Sequence, residues 1–81
     1  MDIRYFQRVY VVELIDLDEK NRSLDCHESF YSENLEACQY FFNKYQQENI
    51  PARLRYVYAE VDIDGGILEI IEVLQEIDKT Y

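Results

Sequence analysis

Two cysteines and one histidine are the residues of this chain whose types zinc prefers. Cys26 and His27 are adjacent, Cys38 follows in the next segment, and His27 is the only histidine. Thiolates and imidazoles are the ligands that zinc prefers, but adjacent residues of a strand point to opposite faces of a sheet. We therefore predict no metal site and no cofactor. We expect Cys26 and Cys38 to be reduced thiols, with a single disulfide as the alternative.

A calcium loop is a second candidate, near the carboxyl end. If Glu60 is counted as position one, acids occupy positions one, three and five, and Gly65 occupies position six. Position twelve is Ile71, where the loop requires a bidentate glutamate, and the preceding residues have a strand pattern. We interpret Asp64 and Gly65 as a turn that begins the last element.

A catalytic constellation is equally hard to assemble. The sequence has no serine on a glycine elbow, no glycine-rich phosphate loop and no second histidine to orient a nucleophile. Its many carboxylates have the pattern of solvated groups, without an apolar pocket that would shift their pKa values. We predict that the protein is not an enzyme.

The first half of the chain predicts two strands and a helix. Residues 5–17 are β-branched and aromatic, without Gly or Pro, which predicts a long strand. Residues 22–30 alternate, with Cys26 and Phe30 on one side, and predict the second strand of a hairpin. Ser32 is the expected N-cap of an amphipathic helix that ends near Glu48, before Pro51.

The second half predicts one strand and one helix. Residues 53–63 have the composition of a third strand. After the turn at Gly65, apolar residues recur at helical spacing, opposite a row of glutamates, and predict a second helix. The apolar residues are Ile67, Ile70, Ile71, Leu74 and Ile77, and the glutamates are Glu69, Glu72 and Glu76.

These elements predict a single domain spanning residues 1–81, of the α+β class. We expect a two-layer ββαβα fold with a three-stranded antiparallel or mixed sheet, order 2-1-3, and two helices on one face. The first and third predicted strands both begin with arginines and end with acids. Antiparallel pairing of these two strands places opposite charges side by side.

The period of two then divides the side chains of the sheet between its faces. We assign the face with Val9, Val11, Val57 and Val61 to the two helices. The other face is aromatic with charged neighbours, and we expect it to be uncovered and to form a protein interface. The expected interface residues are Arg4, Phe6, Arg8, Tyr10, Tyr56 and Tyr58.

Charge limits the classes of partner. Seventeen acids against eight bases give a net charge of −9, so bare nucleic acid and anionic membranes would repel the chain. No apolar run approaches the ~20 residues of a membrane span, and no signal peptide is recognisable. We expect a cytoplasmic protein that does not bind nucleic acid or membranes directly.

Two functions remain for such a domain. The first is a non-enzymatic protein-interaction module, which we expect to form a homodimer through the aromatic face because one patch on two copies is self-complementary. The alternative is an acidic inhibitor that imitates nucleic acid and blocks a DNA- or RNA-binding protein or nuclease. The acids expected to act in that way are Asp18, Glu19, Glu69, Glu72 and Glu76.

Overall fold

The computed structural model of the protein describes residues 4–20 and 22–80. These residues form one antiparallel four-stranded sheet of order β2-β1-β3-β4, with one helix packed against it. In chain order the elements are β1 (Arg4–Leu17), β2 (Ser23–Ser32), α1 (Leu35–Gln47), β3 (Ala52–Asp62) and β4 (Gly66–Lys79).

The long strand β1 lies at the centre of the sheet and pairs with both β2 and β3. The first three strands have the predicted order, and β3 is antiparallel to β1. The predicted proximity of opposite charges is also present: Arg4 reaches Glu60 and Arg53 reaches Glu13. Charge at the strand ends therefore indicated the direction of β3 correctly.

The prediction of a three-stranded sheet with two helices is wrong. The segment predicted as the second helix is β4, a 14-residue strand that pairs along β3. The turn before it is formed by Asp62, whose carbonyl accepts a hydrogen bond from the Gly65 backbone N–H at 3.0 Å. That turn leads into a strand and not into a helix.

Repeated β-bulges explain why β4 resembles a helix in sequence. The pairing of β4 with β3 shifts at four points, and one residue of β4 is skipped at each. The skipped residues are Leu68, Ile71, Leu74 and Ile77. A bulge places two residues opposite one, so β4 repeats every three residues where an ordinary strand repeats every two. Spacings of three are close to the helical period of 3.6.

The helix packs on the face opposite to the one predicted. Cys38 and Phe42 of α1 are fully buried against Val12, Ala52 and Leu54, so this side is called the helix face. The expectation that this face is uncovered is therefore wrong for its central part. The N-cap of the helix is Asn34, whose side chain accepts a hydrogen bond from the Glu36 backbone N–H, and not Ser32.

Edge-strand side chains cover the other side, called the valine face. Its buried residues are Val9, Val11, Val57, Ala59 and Val61, and Tyr31, Ile67 and Ile70 pack against them. The sheet is curled, since the hydroxyl of Tyr31 on β2 lies near Gly65, at the start of β4. Because β2 and β4 approach each other in this way, the valine face is buried without a helix.

The side chains of β2 do not alternate as predicted, because a β-bulge interrupts the pairing of β2 with β1. The pairing of β1 with β2 shifts between Val12 and Glu13, so that Phe30 lies opposite Val12 and Cys26 lies opposite Ile15. Phe30 therefore faces α1, where the centroid of its ring lies 4.4 Å from the ring centroid of Phe41. Cys26 lies on the valine face and not beside Phe30.

We predict that Gly65→Ala lowers the free energy of unfolding by about 1–2 kcal/mol, because a side chain disfavours positive φ. Gly65 has a φ of +90°, whereas a Cβ at Gly66 would meet nothing within 4 Å. Gly66→Ala is the matched control and should change stability by less than ~0.5 kcal/mol. Urea unfolding checks both, and equal losses for the two variants would contradict this turn geometry.

Candidate protein-interaction surface

The helix covers only part of the helix face. Strand β2 pairs with β1 from Tyr10 onwards, and the buried residues of α1 lie over Val12 and Leu54. The remaining part, towards Arg4, carries no helix in the ranges that the structure describes. We call it the open end. It consists of Arg4, Phe6 and Arg8 on β1, Tyr58, Glu60 and Asp62 on β3, and Glu69 and Glu72 on β4.

An aromatic pair lies at the middle of the open end. The rings of Phe6 and Tyr58 are stacked, with centroids 5.9 Å apart and planes 20° from parallel. Phe6 retains 56% of its accessible surface, although it has no polar group to interact with water. Exposed aromatic rings surrounded by charged groups are typical of protein interfaces.

Charges flank this pair in two columns of opposite sign. Arg4 and Arg8 lie on β1, and Glu69 and Glu72 lie two strands away on β4. Arg4 pairs with Glu60 at 3.4 Å. The ion pairs found within residues 4–20 and 22–80 do not include Arg8, Glu69 or Glu72. These three groups are exposed and can reach a partner.

The six predicted interface residues divide into two groups. Arg4, Phe6, Arg8 and Tyr58 lie together on the open end. Tyr10 and Tyr56 pair with each other across the strands, with ring centroids 4.6 Å apart, and both are half-buried. Tyr10 packs against the cluster beneath α1.

The predicted acidic surface does not exist as a helical row. Pairing along β3 places Glu69 beside Glu60 and Glu72 beside Tyr58, whereas Glu76 lies beside Arg55. Glu76 is therefore on the valine face.

Asp18 and Glu19 are at the far end of the sheet, where β1 turns towards β2. The Asp18 carboxylate accepts hydrogen bonds from the backbone N–H groups of Lys20 and Arg22 and from the Arg22 side chain. Hydrogen bonds from Arg22 and Lys20 hold the pKa of Asp18 below its usual value. Asp18 therefore has a structural role in this turn.

The sequence interpretation missed a row of exposed apolar residues on β4. Leu68, Ile71 and Leu74 are skipped residues of the bulges and remain 46%, 48% and 39% exposed. The signal that could have revealed them is the strict spacing of three, because a helix requires steps of four as well to keep one face apolar. The row lies on an edge strand, beside the acidic column of the open end.

A buried ion cluster holds β1 and β3 together on the valine face. Glu13 is 4% exposed, and its carboxylate accepts hydrogen bonds from Arg53 at 3.1 Å and Arg55 at 2.8 Å. Burial by itself raises the pKa of Glu13, but the hydrogen bond from Arg53 and the charges of Arg55 and Arg53 outweigh it and lower the pKa. The two arginines more than compensate the charge of the buried carboxylate, which is the arrangement of a structural group.

The cysteines and the histidine lie in separate environments. Cys26 accepts a hydrogen bond from Arg53, while Cys38 is buried under α1, where burial raises the pKa of its thiol to about 11. His27 lies beside Asp16 and Asp25, and the ligand atoms of these three residues are within 4.8 Å of one another. All three are exposed, and exposed acidic groups of this kind are common without a metal. We assign no metal to them.

Fold and surface together define a small α+β protein whose sheet is covered by a helix at one end and exposes aromatic and charged residues at the other. No protein-family model, no curated protein and no solved structure matches the chain. Within the described residues, no helix has the length and apolar character needed to cross a membrane.

We predict that Glu13→Gln lowers the free energy of unfolding at pH 7 by about 1.5–3 kcal/mol, because hydrogen bonds to charged groups contribute about that much. The folded-state pKa of Glu13 lies below its usual value of 4.5. The contribution of the ionised carboxylate is therefore present above pH 4.5 and lost as the pH falls below it. Urea unfolding at pH 7, 5, 4 and 3 measures the free energy of unfolding of both proteins. We expect the difference between wild type and variant in this free energy to shrink only below pH 5.

Glu60→Gln is the control for that prediction. The partner of Glu60 is Arg4, whose side chain is 55% exposed, and an exposed ion pair contributes at most about 1 kcal/mol. If the loss of unfolding free energy in Glu13→Gln stayed constant down to pH 3, this result would contradict the role given to the buried carboxylate.

Proposed function

We propose that this protein is a non-enzymatic interaction module that binds another protein through the open end of its helix face. The observation that carries the proposal is the stacked pair of Phe6 and Tyr58, with Phe6 56% exposed and beyond the reach of α1. A phenylalanine ring of this exposure gains free energy when a partner removes it from water, by about 25 cal/mol for each Å² buried.

Composition and rigidity also support an interface. Tyrosine, phenylalanine and arginine are enriched where proteins meet, and Tyr58 and Phe6 are held on paired strands. A rigid aromatic surface loses little conformational entropy on binding. Arg8, Glu69 and Glu72 surround the aromatic pair with charges that can select the partner.

The non-enzymatic part of the proposal follows from the state of the titratable groups. Glu13 is the buried carboxylate among the described residues, and two arginines already bind it. The carboxylates of Glu69 and Glu72, by contrast, are exposed to water. Neither environment is typical of a general acid or base, which requires an accessible group with a pKa near the working pH.

The acidic inhibitor is the alternative proposal. A net charge of −9 supports it, since a basic partner would be attracted over a distance of about 10 Å at 0.1 M salt. The acids on which it depended are now divided between two ends and two faces of the sheet. Of these acids, Glu69 and Glu72 lie together on the helix face, where Glu60 of β3 is a further acidic neighbour and the aromatic pair adjoins them.

Photo-crosslinking tests the proposed function directly. We predict that benzoylphenylalanine in place of Phe6 forms a small number of discrete protein adducts in the source cells, because a bound partner lies against this ring. Tyr40 is the matched control position, since it is an equally exposed aromatic residue (59%) on α1, outside the open end. Gel electrophoresis and mass spectrometry identify the adducts.

Adducts at residue 6 that are absent at residue 40 are the expected result. The same set of adducts at both positions, or none at residue 6, would contradict the proposed surface. An adduct consisting of a nucleic-acid-binding protein would favour the acidic inhibitor.

A further inference from the structure

We infer that the partner presents an extended segment in which basic and apolar residues alternate, and that this segment adds as a strand along the outer edge of β4. This inference rests on the proposed function, since it names the chemistry of the partner that binds beside the open end. It depends on the exposure of β4, on the spacing of its bulges and on its charge.

The outer edge of β4 has room for another strand. Within the described residues the sheet ends at β4, and α1 packs mainly on β1, β2 and β3. Strand β2 approaches β4 at Gly65, near the hydroxyl of Tyr31. Residues 71–76 are all exposed, so neither β2 nor α1 covers this part of β4. An exposed edge presents backbone N–H and C=O groups with which an extended chain can pair.

The bulges give β4 a repeat that matches an extended chain. Glu69 pairs with Glu60 and Glu72 pairs with Tyr58, so three residues of β4 advance as far as two residues of β3. Two residues of a strand span about 6.7 Å, which is also the distance between side chains on one face of an extended partner. Residues on one face of a helix are separated by about 4.5 or 6 Å along its axis. An extended segment therefore stays in step with β4, and a helix does not.

Each repeat on the helix face joins an apolar residue to a polar one. In the pairs Leu68–Glu69 and Ile71–Glu72, a skipped residue is followed directly by a carboxylate. The ion pairs found within the described residues include neither glutamate. A lysine or arginine fits such a pair, because its aliphatic stem can lie on the apolar residue while its charged end reaches the carboxylate. The partner therefore carries basic residues on this face.

The valine face of β4 determines the partner residues in between. Pairing with β3 places Ile70 and Val73 on this face, and Val73 remains 44% exposed. A neighbouring strand places every second side chain next to these residues, where an apolar group gains free energy by leaving water. The complementary segment is therefore basic on one face and apolar on the other, which gives strict alternation along its sequence.

Charge favours such a segment over a second copy of this chain. Strand β4 carries four acids and one base, which are Glu69, Glu72, Glu76, Asp78 and Lys79. Pairing with β4 of another copy would bring the acids of both strands together, and like charges on neighbouring strands are destabilising. The net charge of −9 adds to the repulsion between copies, whereas it attracts a basic segment.

Peptide binding at 0.15 M salt tests the inference. The probe is the fluorescein-labelled peptide Lys-Val-Lys-Val-Lys-Val-Lys. Its control is Lys-Lys-Val-Val-Val-Lys-Lys, which has the same composition and charge without the alternation. By fluorescence anisotropy we expect the alternating peptide to bind at least about tenfold more tightly, since only its lysines match the repeat of β4.

NMR spectra locate the binding site. The alternating peptide should shift the amide signals of Ile71 and Leu74 on β4. It should leave unchanged those of Asp25 and Glu28, which lie on β2, the other edge of the sheet and also acidic.

Glu72→Lys, with Glu19→Lys as its matched control, tests the contact itself. Both variants replace an exposed glutamate by lysine, but Glu19 lies in the turn after β1, at the far end of the sheet. We expect Glu72→Lys to weaken binding of the alternating peptide about tenfold, because it places a cation opposite a cation, and Glu19→Lys to weaken it less than about twofold. Circular dichroism should show both variants folded as the wild type is.

Each other result overturns the inference. Equal binding of the two peptides, or equal losses in the two variants, would show attraction by net charge alone. Shifts confined to β2 would exclude β4. Shifts of the β4 amides that depend on protein concentration without peptide would assign this edge to a second copy. Absence of peptide binding would exclude the basic segment, and an adduct at residue 6 would then leave the proposed function intact.

Discussion

The pairing of β4 with β3 is the constraint on which the rest of this structure depends. Ten residues of β3 pair with a 14-residue strand, and four bulges absorb the difference. The bulges keep Ile67 and Ile70 on the valine face, where they cover the central strands, and keep Glu69 and Glu72 on the helix face. One pairing scheme therefore buries the valine face and also supplies the acidic column of the open end.

The sequence predicted the parts of the fold that depend on ordinary periodicity. The strand predicted over residues 5–17, the helix before Pro51 and the antiparallel direction of β3 are all present. The last element could not be assigned from apolar spacing, because a strand with a bulge every third residue and an amphipathic helix share steps of three. Glutamates in regular positions strengthened the helical interpretation, although they lie on a strand.

The assignment of the faces failed for a related reason. The small aliphatic face containing Val9 and Val57 is the typical surface for a packed helix, but edge-strand residues such as Tyr31 cover it because the sheet is curled. The helix instead packs on the side that carries Val12 and Leu54. All six predicted interface residues nevertheless share the helix face, and four of them remain together on the open end because α1 does not extend over that part.

The central claim is that residues 66–79 form a strand that brings Glu72 beside Tyr58. Nuclear Overhauser contacts between backbone protons of the folded protein test it most directly. We expect cross-strand contacts between Tyr58 and Glu72, between Val57 and Val73 and between Ala59 and Ile70, in the observed register. A series of contacts between residues three apart within residues 66–79, without cross-strand contacts to β3, would show a helix and contradict the account.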